Sequence, residues 1–323
     1  MEKEAEIIMK PKNNSSDLTL TRVYYAPVSV VWDAWTDPKK ASKWWGPRGF
    51  SITTKSKDLH PGGQWVYTMH GPDGVDYPNI TTYFVVEPHK RLEYDHGANE
   101  NQKALFRVNV LFSEMNGKTT MKMTMTFESP ERAKEMSKFI KMASGNSTWD
   151  RLGEYLEEEC QHKQVFFLNR VFEAPIKKVF EMFTEPTHIE KWQPPTGFYM
   201  KIHRGEVAVG QSVFYEMGNN EMKFFGRSTY QKIQKPELIS FFQEFCNEAG
   251  ENVKHPGAPV WPSRWLTTVM FTAEEENLTR LTLRSEIIDE CTSEELTAFV
   301  KERGGMTQGW NGSLDRLEEW LEK

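Results

Sequence analysis

The sequence has little cysteine. Three residues in 323, Cys160, Cys246 and Cys291, stand far apart, and none belongs to a CxxC or Cys/His spacing. Neither a disulfide framework nor a zinc site is supported, and a reducing compartment is the simplest setting. Long apolar runs are missing too. No window approaches the roughly 18 consecutive apolar residues of a membrane span. The opening MEKEAEIIMKPKNNSSD is acidic and holds no apolar stretch of signal-peptide length. The expectation is a cytoplasmic protein without a membrane span. A basic excess is also absent: the net charge is −6, with Lys+Arg against Asp+Glu at 21 to 22 over residues 1–160 and 19 to 24 over the rest. Neither half has the electrostatics of a nucleic-acid binder. No GxSxG, HExxH, P-loop or Rossmann fingerprint occurs, and no metal or cofactor is implied.

What the sequence does have is itself, twice. A length of 323 residues suits two domains, and residues 22–50, RVYYAPVSVVWDAWTDPKKASKWWGPRGF, align without a gap on residues 170–198, RVFEAPIKKVFEMFTEPTHIEKWQPPTGF. The shift is 148, and twelve of the 29 positions are identical, where unrelated segments agree at about one position in seventeen. The unit ends match as well: DRLGEYL at Asp150–Leu156 answers DRLEEWL at Asp315–Leu321, now at a shift of 165. The second copy has therefore gained 17 residues, and the Gly/Pro-rich stretch Asn247–Ser263 is the expected place. The expected organisation is a flexible tail over residues 1–16, a first domain over 17–160 and a second over 161–323 with an inserted loop at 247–263.

Each unit starts with a strand, Leu18–Tyr24 in the first. A helix over Val28–Trp35 follows the Ala26-Pro27 break, and Asp37-Pro38 reads as the N-cap and first position of a second short helix. That helix runs into Trp44-Trp45 and stops at Gly46-Pro47. Alternating strands come next. Trp65, Tyr67 and Met69 share a face before a GPDG turn; Phe106, Val108, Val110 and Phe112 lead to an Asn116-Gly117 hairpin; Met121, Met123, Met125 and Phe127 share a face opposite threonines and a lysine. A long terminal helix carries Trp149, Leu152 and Leu156, and in the second copy Leu314, Leu317 and Leu321. The economical packing is a curled antiparallel sheet with the last helix across its concave face, an α+β arrangement that leaves space for a ligand at one end.

These stretches resemble START-like (SRPBCC, helix-grip) proteins of the activator of heat-shock chaperone ATPase homologue type. RVYYAPVSVVWDAWTDPKKASKWWGPRGF is similar to the family's opening. KWQPPTGF, APVWP and WLTTVMFTAEEENLTRLTLRSE look like a second branch of it. The resemblance covers both units and implies, for each, a sheet of about seven strands wrapped round a C-terminal helix with a cavity between them. It implies binding of an apolar small molecule or lipid. Two alternatives are a co-chaperone-like partner of a heat-shock chaperone and a cyclase- or dehydratase-like enzyme. The family's namesake carries a separate N-terminal module for its main chaperone contact, and residues 1–17 are too short for one.

The candidate pocket residues are Trp45, Trp65, Tyr67, Met69, Met121, Met123, Met125, Trp149 and Leu152 in the first unit, and Phe214, Trp261 and Leu314 in the second. Trp44 matches Trp192 and reads as scaffold, whereas Trp45 matches Gln193 and is the freer residue. Neighbouring helical positions point about 100° apart, so the two rings are expected to face different surroundings. The methionines serve either as plain core or as the adaptable wall of a cavity, with Thr279, Leu281 and Leu283 as counterparts. The 247–263 loop is either a surface loop or a lid, stiffened by Pro256, Pro259 and Pro262 and offering His255 and Trp261 to a ligand. For catalysis the sequence offers no established site. Glu216, aligned with Met69 and hence expected to point inward, is the one weak candidate for acid–base work, with Arg227 or Tyr230 to orient a carbonyl.

Overall fold

The computed structural model describes residues 15–99, 101–142, 147–255 and 257–322; the expected tail lies outside them except for Ser15 and Ser16, and so does Pro256 of the expected loop. The chain divides into two compact units between His162 and Lys163. In the first, the order is β1 (Asp17–Tyr24), α1 (Val28–Thr36), α2 (Pro38–Trp44), β2 (Ser51–Lys57), β3 (Gln64–His70), β4 (Asp76–Glu87), β5 (Arg91–Gly97), β6 (Phe106–Met115), β7 (Lys118–Thr126), α3 (Pro130–Met142) and α4 (Ser147–Gln161). The second repeats it with β8 (Val165–Phe172), α5 (Ile176–Met182), α6 (Pro186–Trp192), β9 (Tyr199–Gly205), β10 (Ser212–Gly218), β11 (Lys223–Gln234), β12 (Leu238–Cys246), β13 (Arg264–Glu275), β14 (Leu278–Glu286), α7 (Ser293–Lys301) and α8 (Arg303–Leu321). Each unit holds a seven-stranded antiparallel sheet in which the first strand pairs with the last and the rest follow as a meander, β1-β7-β6-β5-β4-β3-β2 and β8-β14-β13-β12-β11-β10-β9. The α+β helix-grip architecture read from the sequence is the one observed.

Local chemistry explains the short helices. Asp37 caps α2 by accepting from the Lys39 amide at 2.8 Å, with Pro38 in the first turn. The duplicated positions repeat their contacts as well as their identities. Trp44 donates its indole N–H to the Ala34 carbonyl at 3.0 Å, and Trp192 does the same to Met182 at 2.8 Å. Thr119 and Thr279 each donate to the carbonyl of the alanine before the first helix, Ala26 and Ala174, at 2.7 Å. Gly49 and Gly197 recur because both adopt a left-handed turn, with φ of +87° and +83°.

The recurrence of DRL in the last helix has a separate cause. Arg151 Nη1 donates to the carbonyls of Gly46, Pro47 and Phe50 at 2.7, 2.9 and 3.0 Å. Arg316 Nη1 reaches Pro194, Pro195 and Phe198 at 2.9, 3.4 and 2.9 Å. One guanidinium thus satisfies the carbonyls of the proline-rich loop that cannot join a helix or a ladder, and ties that loop to the last helix in each unit.

Two expectations are corrected. Trp45 does not continue the helix: it is the C-cap of α2, with ψ of 133°, so the 100° argument fails. Its ring lies 5.0 Å from that of Trp44, and both meet Trp35 and Trp149. The extra residues of the second unit also enter at more than one place. Matching strand starts are offset by 147 at β5 and β12 and by 160 at β7 and β14, and the DRL of the last helices by 165, while Arg22 and Arg170, related by 148, pair with Met121 and Leu281. The strands thus equate Met121, Met123 and Met125 with Leu281, Leu283 and Ser285, two residues along from the expected Thr279, Leu281 and Leu283. The β12–β13 connection takes most of the gain, and the segment before α8 takes the rest.

Candidate functional site

In the first unit the nine expected lining residues belong to one apolar cluster, in which Trp45 and Met69 are half-buried and the other seven are buried. They fill the space between sheet and α4 with one another. Trp35 stacks on Trp149 at 5.2 Å, and Trp65 stacks on Tyr67 at 4.3 Å. Trp45 sits edge-on to Trp65 at 4.8 Å and donates its indole N–H to the Tyr67 hydroxyl at 3.3 Å. Lys57 closes the cluster from the edge strand: its ammonium lies 3.7 Å over the Trp65 ring and donates to the Trp35 carbonyl at 3.0 Å. Burial brings the Lys57 amine down to about 7.

In the second unit the matching positions carry smaller groups. Under the shifts of 148 and 165, Trp35, Trp45, Trp65 and Trp149 become Phe183, Gln193, Val213 and Leu314. Leu314 is fully buried and packs in the core with Phe183 and Trp192. An open groove of about 1180 Å³ lies elsewhere in this unit. One wall is the inserted connection, with His255, Ala258, Pro259, Val260 and Trp261; the other is α7 and the start of α8, with Thr297, Ala298, Gly305, Met306 and Gly309; Phe224 and Phe245 of the sheet close it.

The insertion is fastened on both sides. Val253 donates its amide to Phe245 at 3.0 Å, and Arg227 reaches the Gly250 carbonyl at 3.3 Å. Lys254 donates to the Trp261 carbonyl at 2.9 Å and pairs with Glu295, whose carboxylate also forms the capping box of α7 with Thr292. Trp261 packs 5.8 Å from Phe299 and 6.1 Å from Trp265. His255 stands edge-on to Phe224 and Phe245 at 5.5 and 4.6 Å, and burial lowers its pKa. Its Nδ1 lies 3.1 Å from the amide of Gly257.

Two second-unit candidates lie on the other face of the sheet. Val213, Tyr215 and Met217 point to the interior clusters, whereas Phe214 stacks on Phe225 beside Cys246 in a cluster of its own. Glu216 follows Phe214. Its carboxylate accepts from Tyr199 at 2.6 Å and lies 3.2 Å from His203 Nε2. The Tyr199 hydrogen bond, with His203 and Lys223, lowers its pKa, the reverse of what a carboxylic acid held for proton donation needs. The expected inward pose came from aligning Glu216 with Met69; the shift of 148 puts Met217 there, and one residue of slip turns a strand side chain to the other face. Arg227 pairs with Glu244 at 3.0 Å, and Tyr230 packs on Phe241. These three residues therefore hold different partners and do not assemble. Among the described residues no group of three His, Cys, Asp or Glu side chains is placed to hold a metal, and no helix is long and apolar enough to cross a membrane.

The glycines of α8 escaped the sequence reading. RGGMTQGWNG puts four glycines in the first half of a 19-residue helix, a signal visible as an interruption of the apolar period. A Cβ added to Gly309 would meet nothing within 4 Å, and one added to Gly312 would press on Thr196 at 3.2 Å. Packing accounts for Gly312 and leaves Gly309 as open groove wall.

Known proteins resemble both units. The family description "Activator of Hsp90 ATPase homolog 1-like protein" matches residues 25–157 and again 173–322. Among solved structures, a protein from Mycobacterium smegmatis is 26% identical over 47% of this chain and 97% of its own, with a TM-score of 0.43. One from Nitrosomonas europaea is 26% identical over 44% and 95%, with a TM-score of 0.41. The di-domain ARO/CYC BexL from the BE-7585A biosynthetic pathway is 10% identical over 95% and 99%, with a TM-score of 0.39. No curated protein matches the sequence significantly.

Proposed function

We infer a function from the family as premise: the chain belongs to the activator of Hsp90 ATPase homolog 1-like proteins, with a matched region in each unit. We propose that the second unit binds an apolar small molecule in the groove between its insertion, α7 and α8, and that the first unit, its interior occupied by its own tryptophans, serves as a scaffold. The groove itself carries the reading, because its volume of about 1180 Å³, somewhat above the roughly 300–1,000 Å³ of small-molecule sites, has ample room for one, and its walls are chiefly apolar. Gly309 supports it. A helical glycine costs about 0.5–1 kcal/mol relative to alanine, and neither a close contact nor a left-handed backbone calls for one there. Enclosure would supply the binding energy, at about 25 cal/mol per Å² of apolar ligand surface removed from water, less the cost of immobilising the ligand.

The test uses N-phenyl-1-naphthylamine, an uncharged dye that fluoresces in apolar surroundings. Saturable enhancement with the wild-type chain is expected, and Gly309→Leu, which projects a side chain into the groove, should reduce it at least tenfold. Thr297→Trp blocks the same space from α7. Undiminished dye binding in both variants, with folding confirmed by circular dichroism, would overturn the reading.

A further inference from the structure

The aromatic wall of the groove contains one uncharged polar side chain whose hydrogen-bonding state the backbone dictates. A backbone amide only donates, so the Gly257 N–H, 3.1 Å from His255 Nδ1, makes that nitrogen the acceptor. In a neutral imidazole the proton then resides on Nε2. The flanking Phe224 and Phe245 rings favour the neutral ring, since they bring no counter-charge and displace water. Among the described residues, Nε2 has no hydrogen-bond partner.

The other polar groups nearby are otherwise placed: on α7, Thr297 donates its hydroxyl to the Ser293 carbonyl at 2.7 Å, and both Ser293 and Thr297 are exposed on the helical side. Lys254 is engaged by Glu295 and the Trp261 carbonyl. Glu294, Lys301 and Glu302 line the helical side and are solvent-exposed. Two carboxylates against one ammonium leave that side unsuited to an anion, and a neutral imidazole gives a buried carboxylate no counter-charge.

We propose that His255 sets the ligand class of this groove, its Nε2–H donating to an acceptor oxygen, so that the groove selects uncharged aromatic molecules bearing a carbonyl or similar oxygen over the matching hydrocarbons. The inference rests on the groove being the binding site. It adds a direction to that reading: the apolar body lies along Pro259, Trp261, Met306 and Gly309, and the oxygen points toward His255 beside Phe224 and Phe245.

9-Fluorenone and fluorene share a ring skeleton and differ by one carbonyl, which makes them a suitable pair. Displacement of N-phenyl-1-naphthylamine should show the wild-type chain binding fluorenone about 5- to 10-fold more tightly, the net value of one hydrogen bond. His255→Phe should retain fluorene and lose the preference, and His255→Gln, which keeps an N–H donor, should recover part of it. Equal wild-type affinities, or a preference that survives in His255→Phe, would overturn the assignment while leaving the groove reading intact. Failure of both ligands to bind would overturn both. Long-range ¹H–¹⁵N spectra give an independent check on the free protein: an Nδ1–H tautomer of His255 would sink the proposal whatever the ligands do.

Discussion

The two units share strand order, proline-rich loops and arginine clamps, yet they treat the space beneath the last helix differently. In the first, Trp35, Trp45, Trp65 and Trp149 meet at 4.8–6.0 Å and fill it. In the second, Phe, Gln, Val and Leu stand at those positions, and an insertion plus a glycine-rich helix start frame an open groove at another edge. The clamp is the constant and the filling is the variable. A duplicated scaffold can therefore keep one copy closed while the other departs, because the contacts that hold the loop to the last helix are made by backbone carbonyls and do not depend on which side chains fill the interior.

The most severe way to break this comparison is to give the first unit the second unit's residues. Trp65→Val with Trp149→Leu should destabilise the first unit by about 4 kcal/mol or more, from lost burial and the cavity left behind. Urea unfolding followed by hydrogen exchange in β3 would measure it; an unchanged unit would mean the rings are not its core. A smaller loss tests the constant part. Arg151→Ala and Arg316→Ala each leave three loop carbonyls without their donor, at about 2–3 kcal/mol apiece. Exchange protection of residues 46–50 and 194–198 should fall alike in the two variants, and a large effect in only one would show that the clamps are not equivalent.

The last expected effect is negligible near neutral pH and grows only in acid. His96 stacks on Phe106 at 4.9 Å, and burial pushes its imidazole down to about 4. The unfolded chain takes up this proton near pH 6.5, so as pH falls from there toward 4 the unfolded state gains protons first and the first unit loses stability. His96→Phe should remove that part of the acid sensitivity, seen as a flatter urea midpoint between pH 6.5 and 4. The second unit has Gln243 at the matching place and should be unaffected; equal pH slopes for wild type and variant would refute the assignment.

The gapless match of residues 22–50 and 170–198 made the fold legible before any coordinate, because a repeated pattern of strand, two capped helices and alternating strands admits few packings. The candidate site was less legible. Trp261 and His255 were picked out as unusual residues in an extra loop, and they now border the groove together with Phe224, Phe245, Met306 and Gly309, which no local pattern had marked. Glu216 and Phe214 were misplaced for one reason. A strand's two faces alternate residue by residue, so an alignment sound enough for the fold still assigns the wrong face when it slips by one.

By itself the sequence determined the duplication, the order of strand, two short helices, meander and last helix, and the family, since these depend on periodicity and on residue identity at fixed spacing; the extra helices α3 and α7 emerged only with the structure. Tertiary structure alone decided that Trp45 turns into the core, that Arg151 and Arg316 grip carbonyls about 100 residues away or more, and that an open groove of the second unit lies along the insertion and α8. Each of these depends on which distant backbone comes within hydrogen-bond or van der Waals reach. Spacing along the chain does not encode that; only the closed fold does.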